Sequence, residues 1–339
     1  MYKTPPPQLG RYRLIRQIGA GGLARVYLAR HPAYGQVALK LPLPLIERMR
    51  EPERRFQSEA RLLRQLRHPN ILRMIETGIV RLPGGEIQYY IATEYLPDGS
   101  LADLLARSGG RLPERHAVQL AVQIADALAY AHDHGVIHRD IKPSNLLLRG
   151  PACVVLADFG IARSLAEQAI TRDNSVLGTL AYMSPEQTLG NRDLVRRGSD
   201  IYSFGVVLYE MLSGHQPRNN PNLPDLVVVQ MIQQQPLPPL AQAAPQVSPD
   251  LSAIAHRCLQ TNRAQRYTTM SAVAADLRRM AARYGYVIQR SAHTPRSGER
   301  RSPPWAMIVG VGGIIVLAFF IVALLSIAQT TAPGTRLIP

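Results

Sequence analysis

Cysteine and aromatic residues are scarce in this 339-residue chain. The two cysteines, Cys153 and Cys258, lie far apart and beside apolar residues, which favours reduced thiols in a cytosolic body over a disulfide or a metal pair. No Cys/His cluster has the spacing of a zinc site. Aromatic residues make up 6% of the chain, which argues against a basic nucleic-acid binder because such proteins stack bases on aromatic rings. The N-terminal stretch MYKTPPPQLG lacks an apolar run, so we expect no secretory signal.

Lysine is also scarce, although the formal charge is +15. Of 39 Lys and Arg residues, three are lysines: Lys3, Lys40 and Lys142. A net charge of this size suggests an anionic partner, such as a nucleotide, a nucleic acid or a membrane surface. A compact ammonium group reaches phosphates where a planar guanidinium does not fit. Lys40 and Lys142 are therefore candidates for phosphate contacts.

Hydrophobic periodicity divides most of the chain into a strand-rich part and a helical part. Up to about residue 96, short β-rich runs surround one amphipathic helix at 52–66. The part up to about residue 284 is mainly helical. Residues 201–212 are apolar nearly all round but too few to cross a bilayer, which predicts a buried central helix.

A polar linker and a long apolar run follow. Residues 291–304, SAHTPRSGERRSPP, have no hydrophobic period and are typical of a flexible linker. Residues 306–328 carry no charge and, as a helix, would be roughly 34 Å long, enough to cross a membrane. Arginines cluster before this run, and a single one, Arg336, follows it. The positive-inside rule then predicts a cytoplasmic N-terminal part and an extracytoplasmic C-terminus.

The flanks of the apolar run suggest two further contacts. The upstream arginines would contact anionic lipid headgroups or, equally well, only solvent. Gly310, Gly312 and Gly313 are compatible with the close approach of two such helices, and hence a homodimer, and equally with ordinary membrane-helix glycines.

Residues 136–148, VIHRDIKPSNLLL, concentrate polar side chains between apolar stretches. Chance would place this polar set within eight residues on the order of once in ten thousand chains of this length. Its members are His138, Arg139, Asp140, Lys142 and Asn145. The triplet Asp158-Phe159-Gly160 follows after the apolar run CVVLA. Upstream, a glycine-rich turn in IGAGGLARVYLA precedes VALK, which ends at Lys40.

In this order the motifs resemble those of the protein kinase family, most closely the membrane-anchored Ser/Thr kinases of bacteria. The resemblance covers residues 12–284 and implies an α+β fold: a two-lobed protein-kinase fold followed by a single transmembrane helix. The implied domains are an N-terminal tail at 1–10, a kinase domain at 11–284 with a small lobe at about 11–94 and a large lobe at about 97–284, a basic juxtamembrane linker at 285–305, the transmembrane helix at 306–328 and a short extracytoplasmic tail at 329–339.

The resemblance assigns catalytic roles to four residues. Asp140 would orient the substrate hydroxyl and accept its proton. Lys142 would neutralise charge on the transferred phosphoryl group. Lys40 would hold the α- and β-phosphates of ATP and pair with Glu59 of the FQSEARLL helix. His138 and Phe159 are expected to be packing residues.

The resemblance also implies a site for ATP with Mg²⁺ or Mn²⁺. Asn145 and Asp158 would bind the metal, since hard cations prefer carboxylate and amide oxygens. Gly19 and Gly21 would let the glycine-rich turn lie close over phosphates, although Ala24 replaces the third glycine of the motif. Backbone groups of the segment joining the lobes would bind the adenine edge. The expected ATP-binding residues are Ile18, Gly19, Ala20, Gly21, Val26, Ala38, Lys40, Thr93, Glu94, Leu96, Asn145 and Asp158.

The stretch LGTLAYMSPEQ resembles the end of a kinase activation segment. Within the resemblance, Glu186 would pair with Arg266, and Asp200 would anchor the catalytic loop. An arginine before the catalytic aspartate goes with activation by loop phosphorylation. The candidate phosphorylation sites are Thr171 first and Ser175 second.

The sequence thus predicts an enzyme: an ATP-dependent, non-specific Ser/Thr protein kinase at the cell membrane, with activation-loop autophosphorylation. Its expected partners are ATP, proteins with Ser or Thr acceptors and membrane lipid, and no nucleic acid. The alternative is a pseudokinase, a nucleotide-binding scaffold at the membrane. Pseudokinases commonly lose the equivalents of Lys40, Asp140 or Asp158, and all three are present. A P-loop ATPase is excluded because the chain has no Gly-Lys-Ser/Thr.

Overall fold

The N-terminal part of the chain forms a six-stranded antiparallel sheet with strand order β1-β2-β3-β4-β6-β5. The computed structural model describes residues 6–21, 24–42, 63–82, 84–159, 180–218 and 223–289. The strands are β1 (Gln8–Leu9), β2 (Tyr12–Ala20), β3 (Ala24–His31), β4 (Gly35–Pro42), β5 (Met74–Arg81) and β6 (Ile87–Glu94).

Alternation along β4 separates the core of this sheet from its polar face. Val37, Leu39 and Leu41 are buried in one apolar cluster, so Ala38 and Lys40 lie on the opposite face. The register pairs Lys40 with Val26 of β3 and Ala38 with Thr93 of β6. Because directly paired residues share a face, four of the residues expected to bind ATP lie on one face of the sheet.

The second part of the chain is mainly helical. Its helices are α1 (Leu101–Arg107), α2 (Glu114–Asp133), α3 (Arg197–Ser213), α4 (Asp225–Gln234), α5 (Leu240–Ala243), α6 (Pro249–Cys258) and α7 (Met270–Arg283). Two short strands, β7 (Leu146–Leu148) and β8 (Val154–Leu156), pair antiparallel between α2 and α3. The arrangement confirms the predicted order of a strand-rich part followed by a helical part, the two lobes of the predicted fold.

The large lobe is built around α3. Nearly every residue of this helix is buried, including Ile201, Phe204 and Leu208 at zero exposure. α3 packs against α2 on one side and α6 on another, so the predicted buried central helix is confirmed. A helix that is apolar on all sides has no polar face to expose to water, so it is buried at the centre of the core.

The chain after α7 turns back along α2. The side chain of Gln119 accepts from the backbone N–H of Gln289 and donates to its carbonyl oxygen, each at 2.8 Å. Tyr286 and Ile288 pack against the core of the large lobe. These contacts hold residues 284–289 on the helical lobe.

Several sequence predictions fall outside the described residues. Contacts divide the chain into two units, Met1–Ala292 and His293–Pro339, and the described residues all belong to the first. The predicted helix at 52–66 is described only from residue 63, and the predicted linker and membrane span not at all. Among the residues that the structure describes, no helix is long and apolar enough to cross a membrane.

Candidate active site

A buried carboxylate in the helical lobe anchors the loop between α2 and β7. Asp200 of α3 accepts from the backbone N–H groups of His138 and Arg139, each at 2.8 Å, and contacts His132 Nε2 at 2.8 Å. Burial alone would raise the pKa of Asp200, but the hydrogen bond and charge of His132 outweigh it, so this pKa lies below its usual value. The predicted anchoring role of Asp200 is confirmed.

His138 is a packed structural residue, as predicted. Its side chain is fully buried, its Nε2 contacts the carbonyl oxygen of Ala157 at 2.9 Å, and its ring lies 4.5 Å from that of Phe159. Burial lowers the pKa of His138, so the ring is neutral at pH 7. The Nε2 contact then requires the proton to be on Nε2.

Two polar residues of the loop, Lys142 and Asn145, converge on the carboxylate of Asp140. Lys142 Nζ lies 3.0 Å from Asp140 Oδ2. The side-chain amide of Asn145 donates to Asp140 Oδ2 and to the Asp140 carbonyl oxygen, each at 2.8 Å. The side chains of Asp140 and Lys142 remain 16% and 21% exposed, so the group is accessible to a substrate.

The hairpin β7–β8 brings Asn145 and Asp158 to the same end. Leu146 pairs with Leu156, so the residue before β7 and the residues after β8 are neighbours. The backbone N–H of Ala157 donates to the Asn145 carbonyl at 2.8 Å. Asp158, one residue further, has a positive φ of 57° and an exposed side chain.

Lys40 connects the sheet to this site. Its Nζ lies 2.7 Å from Asp158 Oδ1, although the two residues are 118 positions apart. The contact joins the polar face of β4 to the end of β8. Sequence reasoning assigned both residues to the site but did not predict that they pair.

The side-chain oxygen atoms of Asn145 and Asp158 suit a hard cation beside phosphates. Both amide hydrogens of Asn145 are used by Asp140, which leaves the amide oxygen as its ligand atom. Asp158 adds an exposed carboxylate. Mg²⁺ is commonly bound by one or two carboxylates together with substrate phosphates, so Asn145 and Asp158 are suitable residues to hold it.

In the segment that joins the lobes, the side chains of Thr93 and Glu94 bind to other parts of the protein. The Glu94 carboxylate contacts Arg149 at 3.1 Å and accepts from the Arg73 N–H, and the Glu94 N–H donates to the Arg73 carbonyl. Thr93 Oγ1 contacts the Glu94 carbonyl at 3.2 Å. For this segment, binding of an adenine edge by backbone groups of Glu94 and Leu96 stays a prediction.

At the glycine-rich turn, the described residues offer no steric reason for Gly19. A Cβ there would meet Val26 at 3.6 Å, which is ordinary contact. The Gly21 N–H donates to the Ala24 carbonyl at 2.9 Å. A steric reason for these glycines would therefore come from a bound nucleotide, and their close approach to phosphates stays a prediction.

A buried ion pair supports the site from the helical lobe. Arg266 donates to both carboxylate oxygens of Glu186, at 2.8 and 3.0 Å, and its guanidinium lies 5.0 Å from the ring centroid of Tyr202. Ser199 Oγ adds a hydrogen bond to Glu186 at 2.8 Å. The predicted pairing of Glu186 with Arg266 is confirmed.

Three predicted residues, Glu59, Thr171 and Ser175, lie outside the described residues. In turn, the structure reveals partners that sequence reasoning missed. His132 supports Asp200, and Gln187 donates to the Arg139 carbonyl at 2.9 Å. The one signal for His132 was its place on the buried side of an amphipathic helix.

Comparison with known proteins identifies a family for this chain. Residues 12–277 match the protein kinase domain. The chain is 36% identical to the serine/threonine-protein kinase PknB of Mycobacterium leprae over 279 residues, which are 82% of this chain and 44% of that protein. It is 36% identical to PknB of Mycolicibacterium smegmatis over 280 residues, 82% of this chain and 44% of that protein. It is 34% identical to the probable serine/threonine-protein kinase CPE1738 of Clostridium perfringens over 273 residues, 80% of this chain and 38% of that protein. The chain thus spans less than half the length of these relatives.

Proposed function

Because the chain belongs to the protein kinase family, we propose that it is an ATP-dependent Ser/Thr protein kinase that phosphorylates Ser and Thr hydroxyls of proteins. The observation that carries the proposal is the convergence of Lys40, Asp140, Lys142, Asn145 and Asp158 at one site. The three relatives above are all named as serine/threonine-protein kinases or probable ones.

Each residue has a role that its contacts support. Asp140, held by Lys142 and Asn145, would orient the acceptor hydroxyl and take its proton as the oxygen attacks phosphorus. Lys142 would counter the charge that develops on the transferred group. Lys40 would hold the non-transferred phosphates, and Glu59 would hold Lys40.

The cofactor set is ATP with Mg²⁺ or Mn²⁺, held by Asn145 and Asp158. ATP supplies the phosphoryl group, and the cation neutralises phosphate charge. The backbone of 94–96 would bind the adenine, with the face of the sheet that carries Val26 and Ala38 covering it.

Activation by autophosphorylation at Thr171, or second at Ser175, is part of the proposal. Arg139 Nε is buried and has no hydrogen-bond partner among the residues that the structure describes. Arg139 also has a positive φ of 67° and is held by Asp200 and Gln187 through its backbone. A phosphate group offers three acceptor oxygens for such a guanidinium.

The chain is further proposed to be anchored in the cell membrane by one helix at 306–328, with the kinase domain at 11–284 in the cytoplasm. This part of the proposal depends on the uncharged run of 23 residues and on the arginines before it.

The test compares the 339-residue chain, purified in detergent, with its Asp140→Asn variant. Transfer from γ-labelled ATP with Mg²⁺ is followed to the chain itself and to a basic acceptor protein, with labelled residues located by mass spectrometry. We expect the variant to lose about 10²-fold or more in rate, because it loses the proton acceptor. Asp133→Asn is the matched control, since Asp133 is exposed on α2.

Equal rates for Asp140→Asn and wild type would refute the role of Asp140. Label on neither Thr171 nor Ser175 would refute the activation sites while preserving the activity. ATP binding without any transfer, in detergent and in lipid bilayers, would favour the nucleotide-binding scaffold.

A further inference from the structure

Three exposed arginines lie close together on strands β2 and β3 of the small lobe. Arg13 and Arg30 occupy directly opposite positions of this antiparallel pair. Arg16 is opposite Leu28, which is two residues before Arg30 and therefore on the same face of the sheet. All three arginine side chains are exposed to solvent. The roles proposed above do not use them.

These three residues, which we call the β2–β3 arginines, share a face with residues expected to bind ATP. Leu28 pairs with Ala38 of β4, and Val26, two residues before Leu28, pairs with Lys40. Side chains two residues apart in a strand point to the same side, so the arginines lie on the face of Ala38 and Lys40. Arg30 is four residues from Val26, roughly 13 Å along the strand. The β2–β3 arginines therefore lie beside the expected nucleotide site without being part of it.

The described part of the small lobe does not neutralise these charges. None of the β2–β3 arginines makes a hydrogen bond or an ion pair with a described residue. The described residues up to 96 contain nine arginines and Lys40, against three glutamates. Of these glutamates, Glu76 accepts hydrogen bonds from two tyrosine hydroxyls, and Glu94 is paired with Arg149. Glu86 lies just before β6, which is two strands away from β3.

The position of Arg13 opposite Arg30 opposes the stability of the sheet. Like charges directly opposite each other on neighbouring strands are destabilising, and no described carboxylate relieves the repulsion in this pair. Natural proteins depart from such rules of local stability mainly where a residue serves binding or catalysis. An anion that approaches this face would be attracted by all three charges together.

We propose that the β2–β3 arginines steer ATP electrostatically toward its site on the same face of the sheet. ATP with one Mg²⁺ carries a net negative charge. A surface of one sign beside a cleft raises the local concentration of an oppositely charged ligand, and with it the association rate. The arginines act before the nucleotide is bound and do not contact it, so the dissociation rate does not depend on them. The inference rests on the proposed function and adds residues that serve the same nucleotide site.

The test measures nucleotide binding to the 339-residue chain in an uncharged detergent by stopped-flow fluorescence. The two ligands are ATP with Mg²⁺ and uncharged adenosine, each with an N-methylanthraniloyl group on the ribose. The variant combines Arg13→Gln, Arg16→Gln and Arg30→Gln. Association and dissociation rate constants are measured at ionic strengths of about 0.01 M and about 1 M, where charges act over roughly 30 Å and roughly 3 Å.

We expect the glutamine variant to bind the ATP analogue about three- to tenfold more slowly than wild type at low ionic strength. At high ionic strength the two association rates should coincide, because salt screens the arginine charges. The dissociation rate should stay at the wild-type value, as is typical when charges outside a binding site are removed. Binding of the adenosine analogue should be unchanged, since it has no charge to be attracted.

Two further triple variants separate the effect of charge from an effect on structure. Lysine at all three positions keeps the charge and should keep the wild-type association rate, since steering depends on charge and not on side-chain shape. The second control combines Arg115→Gln, Arg196→Gln and Arg257→Gln, which lower the net charge equally at exposed positions of the helical lobe. It should slow association clearly less, because these residues do not lie on the nucleotide face of the sheet.

The outcomes separate this inference from the proposed function. An unchanged association rate in the glutamine variant, equal slowing for both ligands, or equal slowing in the helical-lobe control would refute steering while nucleotide binding stands. Faster dissociation with unchanged association would indicate direct contact and would also refute it. Steering without any phosphoryl transfer would refute the kinase activity while this inference stands. A wild-type chain that binds neither ligand would refute both.

Discussion

At the scale of single residues, the site depends on pairs that are distant in sequence. Lys40 and Asp158 lie on different lobes, and Asp200 holds the loop of Asp140 from the central helix. In each contact, a residue of the proposed site is bound to a rigid element of the fold, which fixes the position of that residue. Substitutions that keep the charge but change the shape should therefore still disturb the site.

Lys40→Arg tests this argument. The variant keeps a positive charge, but the broader guanidinium replaces a compact ammonium that is 21% exposed and 2.7 Å from Asp158. We expect transfer from ATP to fall by roughly 10²-fold, as a small misplacement of a phosphate-binding group can cause. Arg30→Lys, at an exposed position of β3, is the reverse substitution away from the site and should have no effect. A wild-type rate for Lys40→Arg would count against a phosphate contact for Lys40.

The buried pair Glu186–Arg266 should make stability depend on pH. Burial alone would raise the pKa of Glu186, but the hydrogen bonds and charge of Arg266 outweigh it, so the folded pKa lies below the usual value of 4.5. The pair therefore stabilises the fold fully above about pH 4.5, and this contribution is lost as pH falls through the folded pKa.

Glu186→Gln should remove that dependence. At pH 7 the variant leaves the buried Arg266 charge without its partner and should lose about 3–5 kcal/mol of unfolding free energy. Between pH 5 and 3, wild type should lose stability more steeply than the variant, as measured by urea midpoints. Glu86→Gln, exposed and unpaired with any described residue, should follow wild type at every pH. Parallel curves for Glu186→Gln and wild type would contradict the argument.

At the scale of elements, α3 needs a residue without a side chain where it crosses α6. A Cβ at Gly205 would lie 2.8 Å from Cys258 Cβ, closer than Cβ contacts in proteins, and 3.1 Å from Leu259, which is tighter than ordinary contact. Gly198, in the same helix, would place its Cβ 3.9 Å from the end of the Arg266 side chain. A methyl group would therefore be crowded at Gly205 and would have room at Gly198.

Replacing each by alanine should give opposite results. We expect Gly205→Ala to lose about 1–3 kcal/mol, because the helices must move apart to admit the methyl group. Gly198→Ala should be neutral or gain up to about 1 kcal/mol, because alanine is the better helix former. Urea midpoints measure both. Equal stability of the two variants would mean that α3 and α6 are not packed as closely as described.

At the scale of the whole molecule, the proposed membrane anchor can be separated from the folded lobes. Residues 284–289 are held on α2 by Gln119, so a chain ending at Gln289 retains every described contact. We expect this chain to move from the membrane fraction to the soluble fraction and to retain transfer to a peptide acceptor.

Two arginines inside the apolar run provide the matched control in the 339-residue chain. Val316→Arg with Leu317→Arg would each add about 2.5–3.5 kcal/mol to the cost of insertion. This double variant should also leave the membrane fraction, as followed by carbonate extraction. A chain ending at Gln289 that stays in the membrane, or a double variant that inserts normally, would refute an anchor at 306–328.

The sequence by itself determined the family resemblance of this protein and predicted the order of its parts. The motifs that contain Asp140, Lys142, Asn145 and Asp158 resemble those of protein kinases in their order, so these residues could be proposed for phosphoryl transfer from the sequence alone. Hydrophobic period likewise predicted strands followed by helices, and a buried helix at 201–212, because burial requires that pattern.

Only the tertiary structure decided which of these residues touch. The pairs Lys40–Asp158, His132–Asp200 and Tyr182–Glu210 are separated by 118, 68 and 28 positions. No local period relates such residues, since their approach results from packing α2, α3 and the sheet around shared cores.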